Sequence, residues 1–500
     1  MRTRYAARNS FLGMIAISVT TILAFFARST VASVLGQEAI GLIALFSDLY
    51  IVLGYFKFGI FPSFLTSLYA PARQGDAPVV LAMYGLFRKV YFRLGWVFIG
   101  VSILLTLILS SFYSYQVGLY FFLIAFNYAL AFFFSYPVLF AMVSQEFFFL
   151  TNLYVMSQGV MALLRIIFLP IFPSFYTYIA AHFVSTLMYF VSVHLLVNRL
   201  GLIPAGKVGQ VASDEKKKIV QRMVGHSFHN VESVLQNGLN NIYVAVFGGL
   251  AQTAAFGSYG MIILTLTHFS DMIVQNMTAS VGNLLTENDG IRNLAVYRAM
   301  LFLYSAVGTA VALGFLNVSD LFMQFWLGKT YVLESGVRYG FAALFLLQIM
   351  IQPAEIFKKV SGLMFTDRYV PILSGALNVL LCLALGYFFG PVGILSANLL
   401  SLLAISFWQK PYMVYRHVLH TRFRSYFVQV LPYLTVSILA GLTSIFICRV
   451  VVIQGIFGAM LFNGIVSILV AILFFMIFFF SSAPCQYILV SMKHVWKKKS

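Results

Sequence analysis

RLGLIPAGKVGQVASDEKKKIVQR, from Arg199 to Arg222, is the longest strongly polar stretch in a chain of 500 residues. On either side of it the sequence is overwhelmingly apolar. Hydrophobic residues make up 61% of the chain and charged residues only 9%, against about 25% charged in an ordinary soluble domain. So few charges cannot coat a water-exposed core of this size, and mean hydropathy is strongly positive. The composition therefore reads as an all-α polytopic membrane protein. Two dozen polar residues leave no room for an extramembrane catalytic domain, so the function belongs within the bilayer or at its edge.

A helix needs about 20 apolar residues to cross the hydrocarbon core. Fourteen windows of roughly that kind can be read, at 11–35, 40–68, 94–112, 117–143, 147–171, 175–197, 225–248, 254–284, 299–316, 339–352, 370–389, 392–407, 427–448 and 456–481. The start, with Arg2, Arg4 and Arg8 before an apolar run from Phe11, resembles a signal peptide, but the run is long and many others follow, so a retained first helix is expected. With the N-terminus inside, 26 of the 32 Lys and Arg residues fall on the cytoplasmic side and three (Lys329, Arg338, Arg449) outside. That asymmetry orients short loops and predicts both termini in the cytoplasm of a cell that keeps the protein in its inner or plasma membrane.

The segment Arg199–Arg222 divides the first twelve windows into six and six. The expected organisation is an N-terminal lobe at 1–198, a cytoplasmic linker at 199–224, a C-terminal lobe at 225–425, and two further helices with a basic tail at 426–500. At an offset of 213, Val31, Ala32, Gly36, Ser67 and Asp76 meet Val244, Ala245, Gly249, Ser280 and Asp289. This is a faint internal repeat of the kind that builds transporters.

A net charge of +18 can signal a nucleic-acid binder, but such proteins cluster Lys and Arg on one folded face, and here they are dispersed between apolar runs. No nucleic-acid partner is expected. Cys382, Cys448 and Cys485 lack metal-ligand spacing. There is no Walker loop, dinucleotide fingerprint, Cys-x-x-Cys or nucleophile elbow, so no cofactor, metal or catalytic residue is expected. His182 and His194 read as helix-packing or interfacial residues.

Charges inside a membrane are costly and default to functional candidates. Six stand out: Arg28, Asp48, Lys57, Arg165, Glu232 and Asp271. Lys57 lies about eleven residues from the cytoplasmic end of its window, roughly 16 Å at the helical rise, which is mid-bilayer. Arg28 and Arg165 lie in outer halves, within reach of the interface by snorkelling. Asp48 and Lys57 are half a turn out of phase on a regular helix, so no direct pair is predicted, although Gly54, Gly59 and Pro62 offer places to bend. In window seven His226, Asn230, Ser233, Asn237 and Asn240 line one helical face, and His268, Asp271 and Gln275 follow the same spacing in window eight. An asparagine face also serves as interhelical glue; the number of polar groups favours a water-filled cavity. The substrate-cavity candidates are thus Lys57, Arg28, Arg165, Asp48, Asn230, Asn237, Asn240, Asp271 and Gln275.

Several stretches resemble the polysaccharide-biosynthesis family, the O-antigen and capsule repeat-unit flippases of the superfamily that also holds the MATE drug exporters. They are VLGQEAIGLIALFSD at Val34–Asp48, FGI at Phe58–Ile60, SLYAP at Ser67–Pro71, NNI at Asn240–Ile242, FGG at Phe247–Gly249, TASVGNLL at Thr278–Leu285, FWLG at Phe325–Gly328, GLMFTDRYVP at Gly362–Pro371, and WQKPYMVY at Trp408–Tyr415. The family often has Asp where Asn240 stands. The resemblance implies two six-helix lobes about a central cavity with two extra C-terminal helices. The implied substrate is an undecaprenyl-pyrophosphate-linked oligosaccharide, flipped from the cytoplasmic to the outer leaflet by alternating access. Membrane lipids, a polysaccharide polymerase and chain-length proteins are the implied partners. Lys57, Arg28 and Arg165 would then be the cations available to the pyrophosphate. Two other classes share the hydropathy. A cation-coupled drug or metabolite exporter would favour acidic cavity groups over three cations, and a membrane polysaccharide polymerase or ligase usually presents a larger external loop than 317–338.

Overall fold

The computed structural model describes residues 2–497 except 56, 145, 204–208, 212, 288, 364–365 and 368, and it describes side chains there except at 2–16, 57–58, 147, 224–233, 237, 271–276, 279–280 and 492–497. The described chain is all-helical. In order the helices are α1 (Arg2–Leu35), α2 (Gln37–Gly54), α3 (Lys57–Gln74), α4 (Ala77–Phe112), α5 (Tyr115–Phe134), α6 (Tyr136–Val143), α7 (Phe147–Ile171), α8 (Phe175–Arg199), α9 (Ser213–Asn237), α10 (Asn240–Thr286), α11 (Gly290–Trp326), α12 (Ser335–Val360), α13 (Val370–Ser401), α14 (Phe407–His417), α15 (Arg424–Val450), α16 (Ile456–Phe479) and α17 (Ala483–Lys497). Contacts group them into two units, Met1–Ile242 and Tyr243–Ser500. The division therefore falls inside the seventh apolar window, because α9 packs along α3 in the first unit.

Twelve helices among the described residues are long and apolar enough to cross a membrane, and the chain is a multi-pass membrane protein. Two of the twelve are bent, which reconciles them with fourteen windows. The run Val370–His417 holds 48 residues, about 72 Å if straight, more than twice the hydrocarbon core. It folds back at Gly390, whose φ of 54° and ψ of −136° are closed to a side chain. Beyond the turn the two arms run antiparallel. Asn378 Nδ2 donates to Asn398 Oδ1 (2.7 Å) and Ser401 Oγ (2.9 Å), with all three buried. Gly393 lies so close to the chain eight residues earlier that a Cβ there would sit 1.9 Å from the Leu385 carbonyl oxygen. A Gly393→Ala variant is therefore expected to lose most of its folded yield, read by fluorescence-detected gel filtration. Wild-type yield and thermal midpoint would remove this account of the hairpin.

The second bend, in α10, is at Gly249 (φ 78°, ψ 175°). Gly36, 213 residues earlier, joins α1 to α2 with almost the same angles, φ 85° and ψ 178°. Asp76 caps α4 by accepting from Val79 N at 3.2 Å, and Asp289, again 213 residues on, caps α11 by accepting from Ile291 and Arg292 N at 3.1 Å each. The faint repeat in the sequence thus coincides with repeated backbone roles: a left-handed glycine turn and an acidic N-cap.

In the second unit α15 and α16 are fastened to α11 through small polar residues. Asn317 Nδ2 donates to Ser444 Oγ (3.1 Å) and Ser467 Oγ (2.9 Å), Asn463 Nδ2 donates to the Asn317 carbonyl (3.1 Å), and Thr309 meets Ser437 at 2.6 Å. Serine lets the backbones approach while its hydroxyl finds a partner that lipid cannot supply. The motif stretches near residues 362–371 and 408–415 are fasteners too. The buried Asp367 carboxylate pairs with the Lys358 ammonium and accepts from Gln409 Nε2 at 3.0 Å, and Lys410 pairs with Glu355 at 2.5 Å.

Candidate functional site

The first unit brings together segments well over a hundred residues apart, up to 193. Pro78 O accepts from Gly209 N (3.0 Å), Ser67 Oγ from Arg222 Nη1 (2.5 Å), and Asp48 from Asn241. Gly238 lies against Ile51, so that a Cβ would stand 2.8 Å from Ile51 Cγ2. As one partner advances from Asp48 to Pro78 the other retreats from Asn241 to Gly209 almost residue for residue. The segment from Gly209 to the start of α10 therefore runs antiparallel along α2 and α3 in a single register. Carried inward from either side, by ten positions from Ser67/Arg222 or six from Ile51/Gly238, this register sets the Lys57 backbone level with that of Glu232 and within about one turn of Asn230. The window read as one span at 40–68 is two helices, broken after Gly54 where a turn at Tyr55 intervenes.

Asp48 is 3% exposed and both its carboxylate oxygens are used. Oδ2 accepts from Asn241 N at 2.7 Å and Oδ1 from Asn241 Nδ2 at 2.8 Å. A helix that starts afresh at Asn240 has unpaired N–H groups in its first turn, and α2 supplies the acceptor that the local sequence lacks. The charge also meets the positive end of the helix dipole. Sequence reasoning identified Asp48 but not its partner; the signal available was an Asn pair directly after Gly238-Leu239.

Arg165 on α7 does not turn outward to the interface. Its guanidinium stacks on the Tyr178 ring of α8, 3.7 Å from the centroid, and its Nε and Nη2 are fully buried without a hydrogen-bond partner. Along the same face of α8, His182 Nδ1 donates to Asn127 Oδ1 (2.9 Å) and Thr186 Oγ1 donates to the same oxygen (2.8 Å), so His182 has the packing role expected of it. Arg28 on α1 and Asn240 at the start of α10 are half-buried and engaged with neighbours. The side chains of Lys57, Asn230, Asn237, Asp271 and Gln275 lie outside the described residues, as does that of Glu232. No group of three or more potential metal ligands occurs among the described residues.

A chain whose described residues are all-helical, with twelve apolar helices of which one folds back at Gly390 and another bends at Gly249, and with Asp48 clasped inside its first unit, is a multi-pass membrane protein. Its fold is shared with solved transport proteins. The lipid II flippase MurJ in an inward closed conformation is similar with a TM-score of 0.69 and 12% identity, covering 94% of this chain and 98% of that one. An inward-facing MATE-family multidrug transporter of the MOP superfamily is similar at 0.61 and 11%, covering 80% and 98%. A MOP-superfamily transporter from Pyrococcus furiosus, described as having a binding pocket of reversed polarity, is similar at 0.55 and 13%, covering 82% and 95%. No protein-family model and no curated protein matches the sequence.

Proposed function

We propose that the protein is a flippase that carries undecaprenyl-pyrophosphate-linked oligosaccharide repeat units from the cytoplasmic to the outer leaflet by alternating access, for O-antigen, capsule or exopolysaccharide assembly. The observation that carries this reading is the extent of the fold match. The flippase covers 94% of this chain where the MATE transporter covers 80%, a difference of about 70 residues and close to the length of α15–α17. A match of that length has room for the helix pair α15 and α16, which its own polar network fastens to α11, and this supports the flippase reading over the exporter. The chemistry agrees. A pyrophosphate needs a cation at membrane depth, which Lys57 offers, and hydrophilic sugars need polar helix faces, which α9 and α10 supply, while the isoprenoid tail remains in lipid.

The test is complementation: expression in a strain lacking its repeat-unit flippase should restore surface polysaccharide, and expression in a drug-hypersensitive strain should leave resistance unchanged. Resistance without restored polysaccharide would favour the exporter reading. The orientation has its own test. Ser213 and Lys329 are exposed, so cysteines placed there should be labelled only from the cytoplasm and only from outside, respectively. Labelling of position 213 from outside would overturn the charge-based topology.

A further inference from the structure

The fourteen acidic residues of the chain end at Asp367, and residues 368–500 hold ten Lys and Arg residues with no Asp or Glu. Cations in this stretch must draw their counter-charge from earlier segments or from outside the protein. The two carboxylates that precede it most closely are already spent, Glu355 on Lys410 and Asp367 on Lys358 and Gln409. Where α14 turns into α15, Arg416, His417, His420, Arg422 and Arg424 are all exposed. None of them pairs with a carboxylate among the described residues. The corner is tightly built. Leu419 is buried and Phe423 sits between the rings of Tyr412 (5.3 Å) and Tyr426 (5.8 Å), so the histidine and arginines beside them are left outside. Leu419 N donates to the Val414 carbonyl and Thr421 N to the Tyr415 carbonyl, each at 3.0 Å. The turn they close holds His420 at a φ of 49°, the only positive φ outside glycine among the described residues, which a side chain adopts at a cost. Arg416 Nη1 donates to the Tyr412 hydroxyl at 2.5 Å. Because Phe423 packs on Tyr412, the arginines on either side of it share the corner with Arg416.

Apolar surface leads away from this corner along both helices. On α14, Trp408, Tyr412 and Arg416 follow one another at i, i+4 and i+8, with Trp408 exposed and its Nε1 satisfied by the Ala404 carbonyl at 2.7 Å. On α15, Arg424, Val428, Leu431, Ile438 and Leu442 stand at i, i+4, i+7, i+14 and i+18, and the four aliphatic side chains are all exposed. A cationic corner that continues into an exposed aliphatic stripe matches an amphiphile with an anionic head and a hydrocarbon tail. A soluble anion would use the arginines alone, and nucleic acid has no counterpart for the stripe. We infer that the α14–α15 corner binds a resident anionic glycerophospholipid, its phosphodiester held by Arg416, Arg422 and Arg424 and its acyl chains lying along the α15 stripe. On the charge-based topology the corner faces the cytoplasm, so the lipid belongs to the inner leaflet, where anionic headgroups attract basic segments. The site lies in the second unit, apart from the pyrophosphate site proposed at Lys57, and does not rest on that reading.

The test uses the full-length protein purified in detergent, titrated with phosphatidylglycerol, phosphatidylcholine or inorganic phosphate. Phosphatidylglycerol should raise the thermal midpoint by roughly 2–4 °C and saturate, while the other two leave it unchanged. Phosphatidylglycerol affinity, read by native mass spectrometry, should fall about twenty-five-fold in the double variant Arg422→Gln, Arg424→Gln, at about fivefold for each arginine. The tail variant Lys497→Gln, Lys498→Gln, Lys499→Gln should stay within about twofold of wild type. Equal losses in the two variants would mean that the lipid is drawn by diffuse charge, and would reject the site. A wild-type midpoint that responds equally to phosphatidylcholine or to phosphate rejects it too. Undecaprenyl phosphate that displaces phosphatidylglycerol at a lower concentration would make the corner a substrate port and end the resident-lipid assignment. Should the double variant fail to accumulate, a photoactivatable phosphatidylglycerol on the wild-type protein decides: adducts within residues 408–442 support the site, and adducts found only elsewhere reject it.

Discussion

Lys57→Ala is expected to lose flipping of lipid-linked oligosaccharide altogether, to at least a hundredfold below wild type, while Lys57→Arg keeps a measurable fraction and Lys57→Gln does not. The reasoning starts from depth. Lys57 opens α3 eleven residues before Leu68, and on the charge-based topology that would set it roughly 16 Å from the cytoplasmic side of the bilayer, too deep for easy snorkelling. An ammonium there binds phosphate as a point charge, and a guanidinium replaces the charge though not its position. The register along α3 and α9 supplies a control that the sequence did not offer, since it sets Lys57 level with Glu232. If Lys57 merely balances that carboxylate, Lys57→Ala leaves a stranded buried charge, and the double variant Lys57→Ala, Glu232→Ala should regain both accumulation and transport. If Lys57 binds substrate, the double variant accumulates and remains inactive. Measuring flipping in proteoliposomes alongside folded yield separates the two, and wild-type transport by Lys57→Ala at normal yield would end the pyrophosphate assignment.

Asp48→Ala is expected to destabilise the protein by about 2–5 kcal/mol, because it strips the buried carboxylate that accepts from a part-buried backbone N–H and amide N–H of Asn241. The lost carboxylate also leaves the first turn of α10 uncapped. Asp48→Asn should fall between: its remaining oxygen satisfies one donor of Asn241, while its new amide meets the other donor head-on. Asn241→Ala should cost less than Asp48→Ala, since the backbone N–H bond at 2.7 Å survives. Thermal unfolding of the purified variants, followed by aggregation-sensitive gel filtration, gives the order. An Asp48→Ala midpoint equal to wild type would show that the clasp holds nothing.

Hydropathy and charge were enough to define an all-α membrane protein, the number of its traverses and the residues most costly to bury, because each of these depends on runs of neighbouring residues meeting a solvent of fixed thickness. The repeat at an offset of 213 also located Gly36, Gly249, Asp76 and Asp289, whose matching spacing reflects matching backbone roles. Partnership was a different matter. That Asp48 is answered by Asn241, 193 positions away, that α9 joins the first unit rather than opening the second, and that Arg165 stacks inward on Tyr178 depend on which helices lie side by side. Apolar helices present nearly equivalent surfaces to one another in lipid, so composition does not choose among pairings. The choice is made by close approaches such as Gly238 on Ile51 and Gly393 on the Leu385 carbonyl, and by the need of each buried N–H for one particular oxygen.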